Sequence, residues 1–428
     1  MKVPIIRKKS IFLSDQLILL GYLIKWLLIC LLVGIITGSA SAGFLLSLDW
    51  ATYWRENHFW VIFFLPLAGL FIGLLYHYYG QDVSKGNNQL LEEFHNPKNI
   101  VPFKMAPLIW LTTVLTHLVG GSAGREGTAV QMGGSLADQF TNLFQLKPRD
   151  RKVILIAGIA GGFASVFGTP LAGAIFGLEV LVVGQISYTA ILPALLSAVI
   201  ADQTCRTWNV DHNHYHIDKT PLLDAPGISY AIIAGILFGI TAMIFSKTMH
   251  KITDAFKEKV SYAPIRPVIG GFAVLGVFLL INWLAPTYGT RYTGLGLPVI
   301  AESFQQQQTF IDFAAKLLLT AFTIGCGFKG GEVTPLFFIG ATLGSALSLF
   351  LPLPVGLLAG MGFVAVFAGA ANTPLTCIVM GIELFGIQTG VFIAIASIVS
   401  FLFSGNSSIY LSQPTKNHKH ILLRYLNK

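Results

Sequence analysis

The sequence predicts an all-α, polytopic membrane protein built from two related halves, and three observations carry that reading. Of 428 residues, 54% are hydrophobic and 11% charged, at a mean hydropathy of +0.68. Some stretches nearly free of charge are much longer than one helix needs. A glutamate flanked by glycine recurs in the second half of the chain.

Soluble domains carry roughly 25% charged residues, so the composition excludes a soluble globular protein. Between Val153 and Ile200 the only charge is Glu179, and between Val333 and Gln413 it is Glu383. Both runs far exceed the roughly 20 apolar residues of one spanning helix, so each predicts several. Apolar blocks fall approximately at 15–48, 59–80, 104–120, 126–144, 153–205, 227–250, 264–286, 311–325, 334–351 and 355–404. Many are too short or too broken by Gly and Pro to cross, the sign of discontinuous helices meeting near mid-bilayer. Small-residue patches such as Gly158, Gly161, Gly162 and Gly344, Ala346 allow close helix approach in lipid.

The net charge of +8 does not point to nucleic acid. Basic residues gather at Arg7-Lys8-Lys9, Lys147 to Lys152, Lys247 to Arg266 and Lys416 to Lys428, as short cytoplasmic segments between spans do. Both termini are therefore expected on the cytoplasmic side of a bacterial inner membrane. The apolar stretch after the basic start lacks a convincing cleavage site, so no signal peptide is expected. Cys30, Cys205, Cys326 and Cys377 are scattered in or beside apolar segments and read as packed free thiols.

The repeat is the main organisational signal. Gly124-Arg125-Glu126-Gly127-Thr128 returns as Gly330-Gly331-Glu332-Val333-Thr334, an offset of 206. Gly168-Thr169-Pro170-Leu171 with Gly177-Leu178-Glu179 returns as Asn372-Thr373-Pro374-Leu375 with Gly381-Ile382-Glu383, an offset of 204 from Thr169 to Thr373. Two matches in order predict homologous halves over about 28–205 and 227–405 within one transmembrane domain. Repeated transporter halves are commonly inverted, with the site between them.

A carboxylate at membrane depth is costly enough to mark an ion or proton site, which selects Glu126 and Glu332. Residues 121–127 read as a glycine-rich loop entering a helix near Glu126, and 326–334 as its counterpart entering a helix from Pro335. Helix starts present unpaired N–H groups and partial positive charge, favouring an anion; a cation on loop carbonyls stays open.

Gly124-Arg125-Glu126-Gly127 resembles the gating-glutamate motif of the CLC anion channels and antiporters, and the two-half layout extends the resemblance over essentially the whole chain. It implies that Glu126 occupies the anion path when ionised and leaves it when protonated. It also places Tyr410, in Gly405-Asn406-Ser407-Ser408-Ile409-Tyr410, at the family's central tyrosine. Departures from the chloride pattern are informative. Thr128 stands where Pro is usual after Glu-Gly, Gly331-Glu332-Val333-Thr334-Pro335 replaces Gly-x-Phe-x-Pro, and Ser84-Lys85-Gly86-Asn87-Asn88 replaces Gly-Ser-Gly-Ile-Pro. These substitutions resemble the bacterial fluoride branch, with Asn87 in the place of its first-segment Met or Asn. The resemblance implies a homodimer with one pathway per subunit. The inner glutamate of the chloride antiporters aligns with Val180, leaving a proton path centred on Glu332.

Fluoride is small and strongly hydrated, so a dehydrated site must supply short, strong hydrogen bonds. The candidate anion-binding residues are Asn87, Gly124, Val333, Thr334 and Tyr410; the gating and proton residues are Glu126 and Glu332. Burial and the anion's charge both favour protonated Glu332, which couples proton to anion. The expected activity is fluoride/proton exchange exporting cytoplasmic fluoride, with a chloride or nitrate channel, or a chloride/proton antiporter, as the alternative. No cofactor, nucleic acid, enzymatic activity or regulatory domain is expected; a membrane metalloprotease would need H-E-x-x-H, which is absent, and a cation-coupled transporter would depend on sodium.

Structural readings stand beside these. Glu126 as a cap of its own helix, Glu332 salt-bridged to Lys329, Glu179 and Glu383 holding helix ends, and His117 as a hydrogen-bonded core histidine are each open. Arg125 is read as neutralising nearby oxygens, and Lys85 as raising the local anion concentration or as a plain surface residue. The run Asp211 to Asp218, with His212, His214 and His216, is read as a solvated loop rather than a metal site.

Overall fold

Glycine and proline cut the apolar blocks into many helices. In the computed structural model, residues 14–213, 215–286, 288–414 and 419 are described. The basic residues at 7–9, His214 and nearly all of the basic tail from Lys416 lie outside them. The helices are α1 (Ser14–Asn57), α2 (Leu65–Tyr78), α3 (Asn87–His95), α4 (Met105–Leu118), α5 (Glu126–Leu143), α6 (Pro148–Phe167), α7 (Pro170–Glu179), α8 (Ile191–Thr207), α9 (Ala225–Lys259), α10 (Arg266–Leu284), α11 (Leu297–Gln305), α12 (Phe310–Gly325), α13 (Val333–Leu347), α14 (Val355–Ala371), α15 (Pro374–Phe385) and α16 (Gly390–Phe403). Among the described residues there is no strand; an isolated antiparallel bridge joins Gly124 and Gly331.

Among the described residues, five helical stretches are long and apolar enough to cross a membrane. Six more are apolar but have only 10–17 residues. At 1.5 Å per residue such helices fall short of a hydrocarbon core about 30 Å thick, so the chain turns at membrane depth. The long run from Val153 divides into α6, α7 and α8, and the last block into α14, α15 and α16.

The core sits where α5 packs on α6 and α13 packs on α14. At both crossings the closest approach is glycine on glycine. A Cβ on Gly133 would strike the Gly158 carbonyl, and one on Gly340 the Gly362 carbonyl. The backbones therefore touch, as small-residue interfaces permit in lipid. The exposed residues of α1, including Leu17, Ile18, Leu19 and Leu20, form an apolar surface suited to acyl chains.

The halves also exchange caps. Glu179, ending α7, accepts from Leu375 N (3.0 Å), Thr376 N (2.8 Å) and Thr376 Oγ1 (2.7 Å) at the start of α15. Glu383, near the end of α15, accepts from Leu171 N (3.0 Å) and Ala172 N (2.7 Å) at the start of α7. First-turn N–H groups have no intrahelical partner, so each carboxylate satisfies the other helix.

The interior is richer in charge than the sequence suggested. Asp138 on α5 is gripped by Arg151 of α6 at 2.7 and 2.8 Å. Lys316 on α12 is fully buried and donates to the carbonyls of Tyr292 (3.1 Å) and Gly294 (2.7 Å). Each of these polar groups is tolerated inside because hydrogen bonds replace its water. All four cysteines are buried and free.

Candidate functional site at the paired helix starts

Two loops meet back to back. Gly124 N donates to Gly331 O at 2.6 Å and Gly331 N to Gly124 O at 2.8 Å, which places the starts of α5 and α13 side by side. α5 begins at Glu126, as expected. α13 begins at Val333, two residues before Pro335; a first-turn residue needs no N–H for the helix, so the proline sits inside that turn.

Glu126 is 1% exposed. Its Oε2 accepts from Thr334 N at 2.9 Å and Thr334 Oγ1 at 2.5 Å, with Arg125 N at 3.3 Å. Its Oε1 has no hydrogen bond, and the Arg125 Nε lies 3.6 Å away. The carboxylate thus caps the opposite half's helix rather than its own. Arg125 stands beside it as a counter-charge.

Glu332, at the equivalent position, is the residue immediately before α13. It is half-buried, and its Oε2 is buried without a hydrogen-bond partner. Lys329 is not within ion-pair distance of it among the described residues; the Lys329 ammonium lies 4.0 Å from the centre of the Tyr76 ring. The salt-bridge reading of Glu332 is therefore set aside.

A cavity of about 810 Å³ is lined by Asn87, Glu332 and Tyr410 together, with Lys85, Lys257 and Arg266 around it. Asn87 Oδ1 is buried without a partner. A Cβ added at Gly127 would lie 3.1 Å from Asn87 Nδ2 and 3.5 Å from Glu332 Oε2, so glycine keeps that gap open. Tyr410 is 4% exposed. A separate chamber of about 20 Å³ is bounded by Arg125, Glu126, Tyr215, Thr334 and Phe337. It has room for about one water.

Most of the residues expected at the site meet there. Gly124 does too, but its N–H is committed to Gly331, so it permits close backbone approach and is not an anion donor. Val333 and Thr334 supply N–H groups of the first turn of α13. Val180 is buried at the end of α7 and its carbonyl accepts from Gln413 Nε2 at 2.8 Å, so no acid occupies the position expected of an inner relay.

Sequence reasoning missed Gln131, whose Oε1 lies 3.0 Å from the Cβ position of Gly86 at the cavity wall, and the Thr113–Thr128 hydroxyl pair at 2.8 Å. Thr128, singled out as a departure from Pro, gave the only signal. His117 is a core histidine, 2.8 Å from Thr113 O and 3.0 Å from Ala123 O. His212 is buried with Nε2 3.6 Å from Asp202 Oδ1, and His216 is exposed. No cluster able to hold a metal occurs among the described residues.

An anion-shaped seat at opposed helix starts, filled by an internal carboxylate, within an inverted arrangement of broken helices defines a membrane anion transporter. A model of the voltage gated chloride channel family matches residues 68–405. The chain belongs to that family, the CLC channels and antiporters. It is 51% identical over 406 residues, 95% of this chain and 90% of the relative, to a protein of Pseudomonas syringae pv. tomato named chloride/fluoride channel protein. An H(+)/Cl(-) exchange transporter of Vibrio vulnificus is 26% identical over 388 residues, 84% of this chain and 82% of the relative. The crystal structure of a CLC-type fluoride/proton antiporter superposes with a TM-score of 0.88 at 34% identity, covering 95% of this chain and all of that one (100%). A slow cyanobacterial Cl-/H+ antiporter shares the fold at a TM-score of 0.78 and 22% identity, covering 94% of this chain and 98% of that one.

Proposed function

We propose that this chain exchanges fluoride for protons, exporting cytoplasmic fluoride across a bacterial inner membrane. The observation that carries the reading is the Glu126 carboxylate seated on Thr334 N and Oγ1, an oxyanion in a place built for a dehydrated anion. The names of the 51% identical relative and the 34% identical solved structure, both of which include fluoride, support the choice of ion. The basic residues around the large cavity, Lys85, Lys257 and Arg266, support a cytoplasmic opening by the positive-inside rule, where their field would concentrate anions.

Fluoride entering the cavity meets the Asn87 amide, the Tyr410 hydroxyl and the first N–H groups of α13. Glu332 takes up a proton as the anion arrives, because two negative charges in one dry site repel. Protonation of Glu126 frees Thr334 to receive fluoride, and its deprotonation returns the carboxylate to the seat. The two glutamates thereby couple anion and proton movements. A homodimer with one such pathway per subunit is the assembly proposed, with both termini cytoplasmic.

Reconstitution in liposomes, read with fluoride and pH electrodes, tests this. Fluoride efflux should drive opposed proton movement and persist without sodium. A large preference for chloride or nitrate would overturn the ion, and fluoride flux without protons would overturn the exchange.

A further inference from the structure

Asn87 and Tyr410 come from distant parts of the chain, and α3 ties them together. Asn88 and Glu92 are one turn apart on a single face of that helix, and both hold Ser412. Asn88 Oδ1 accepts from Ser412 N at 2.9 Å, and Glu92 Oε1 from Ser412 Oγ at 3.0 Å. The other Glu92 oxygen accepts from Lys85 Nζ at 2.6 Å. Asn88 adjoins Asn87, and Ser412 is two residues beyond Tyr410. Glu92 and Ser412 line both the large cavity and a neighbouring one of about 750 Å³, so the clasp forms part of the wall between them. The Lys85–Glu92 pair, with side chains 61% and 43% exposed, contributes little by itself; the double hold on Ser412 fixes the geometry.

We propose that the Asn88–Glu92–Ser412 clasp sets the spacing of Asn87 and Tyr410 and thereby the preference for fluoride over a larger halide. The inference rests on the transport reading above. A small anion needs short bonds from both sides at once, so slackening the clasp costs fluoride its contacts first. A larger halide tolerates the wider gap. Asn88 and Glu92 act through Ser412, as positioning residues.

The test is the ratio of fluoride to chloride efflux from liposomes holding the full chain. In the Asn88→Ala/Glu92→Ala variant the ratio should fall roughly tenfold, as small misplacements of binding groups do. Asn88→Asp, which keeps an accepting oxygen, should restore much of it in the Glu92→Ala background relative to the double alanine variant. An unchanged ratio, or equal loss of both ions, would overturn the proposal. Should the double variant fail to fold, Asn88→Ala and Glu92→Ala singly carry the same test. Absence of fluoride/proton exchange in the unmodified protein would instead remove the transport reading, so the two failures are distinguishable.

Discussion

At positions 179 and 383, equivalent in the two halves, each glutamate caps the first turn of the other's helix, with three and two hydrogen bonds respectively. At positions 126 and 332, also equivalent, the reciprocity is broken. Glu126 caps α13, while Glu332 has a buried oxygen without a partner beside a large cavity. Symmetric carboxylates with all their bonds made hold the halves together. The asymmetric pair retains unmet bonding capacity, and in the proposed exchange that capacity is what an arriving anion and proton use.

The strongest way to break this comparison is Glu126→Gln. The amide keeps the shape but cannot take up and release a proton, so proton movement should be abolished while anion flux persists. Unimpaired coupled exchange in that variant would remove the gate. Glu332→Ala should lower fluoride turnover tenfold or more, ~1.4 kcal/mol in barrier, well beyond any loss in folded yield. Equal losses of both would make Glu332 structural.

Glu179→Ala should act on stability instead. Three hydrogen bonds at about 0.6 kcal/mol each within a membrane give a loss of about 2 kcal/mol, read as a lower denaturation midpoint with the proton-to-fluoride ratio unchanged; Glu383→Ala should cost less. An altered ratio would show that the symmetric pair also transports. The smallest effect concerns pH. The hydrogen bond from Lys85 holds the Glu92 carboxyl below its usual range, with Ser412 and the charges of Lys85 and Lys98 adding to it against a burial penalty. A depressed carboxyl pKa leaves its contribution intact above the ordinary value of about 4.3 and removes it only as pH falls further. The drop in the fluoride-to-chloride ratio caused by Glu92→Ala should therefore be the same at every pH from about 5 to 8, and a drop that changes within that interval would exclude the ionised Glu92 from the clasp.

Much of the site was legible because its signals are local. Glycine-broken segments, a carboxylate in each, and a near-constant offset identified Glu126, Glu332, Thr334 and the loops that carry them. The helix start at Glu126 could be read, whereas that of α13 was misplaced by two residues because proline permits a first turn without marking where it opens. Lys316 left no trace, since its acceptors are backbone carbonyls 22 and 24 residues away, and any residue can offer those. Arg151 reads only as one member of the basic segment Lys147 to Lys152, and nothing in that pattern marks Asp138 as its buried partner.

Composition and motif order by themselves determined the membrane setting and pointed to the repeat and to the candidate acids, because apolar length and repeated glycine geometry are properties of short segments. Only the folded chain decided that Gly124 spends its N–H on Gly331, that Glu126 rests on a helix 208 residues away, and that α3 clasps the segment of Tyr410. Hydrogen bonds between distant residues depend on how every intervening helix packs, and no local pattern encodes that.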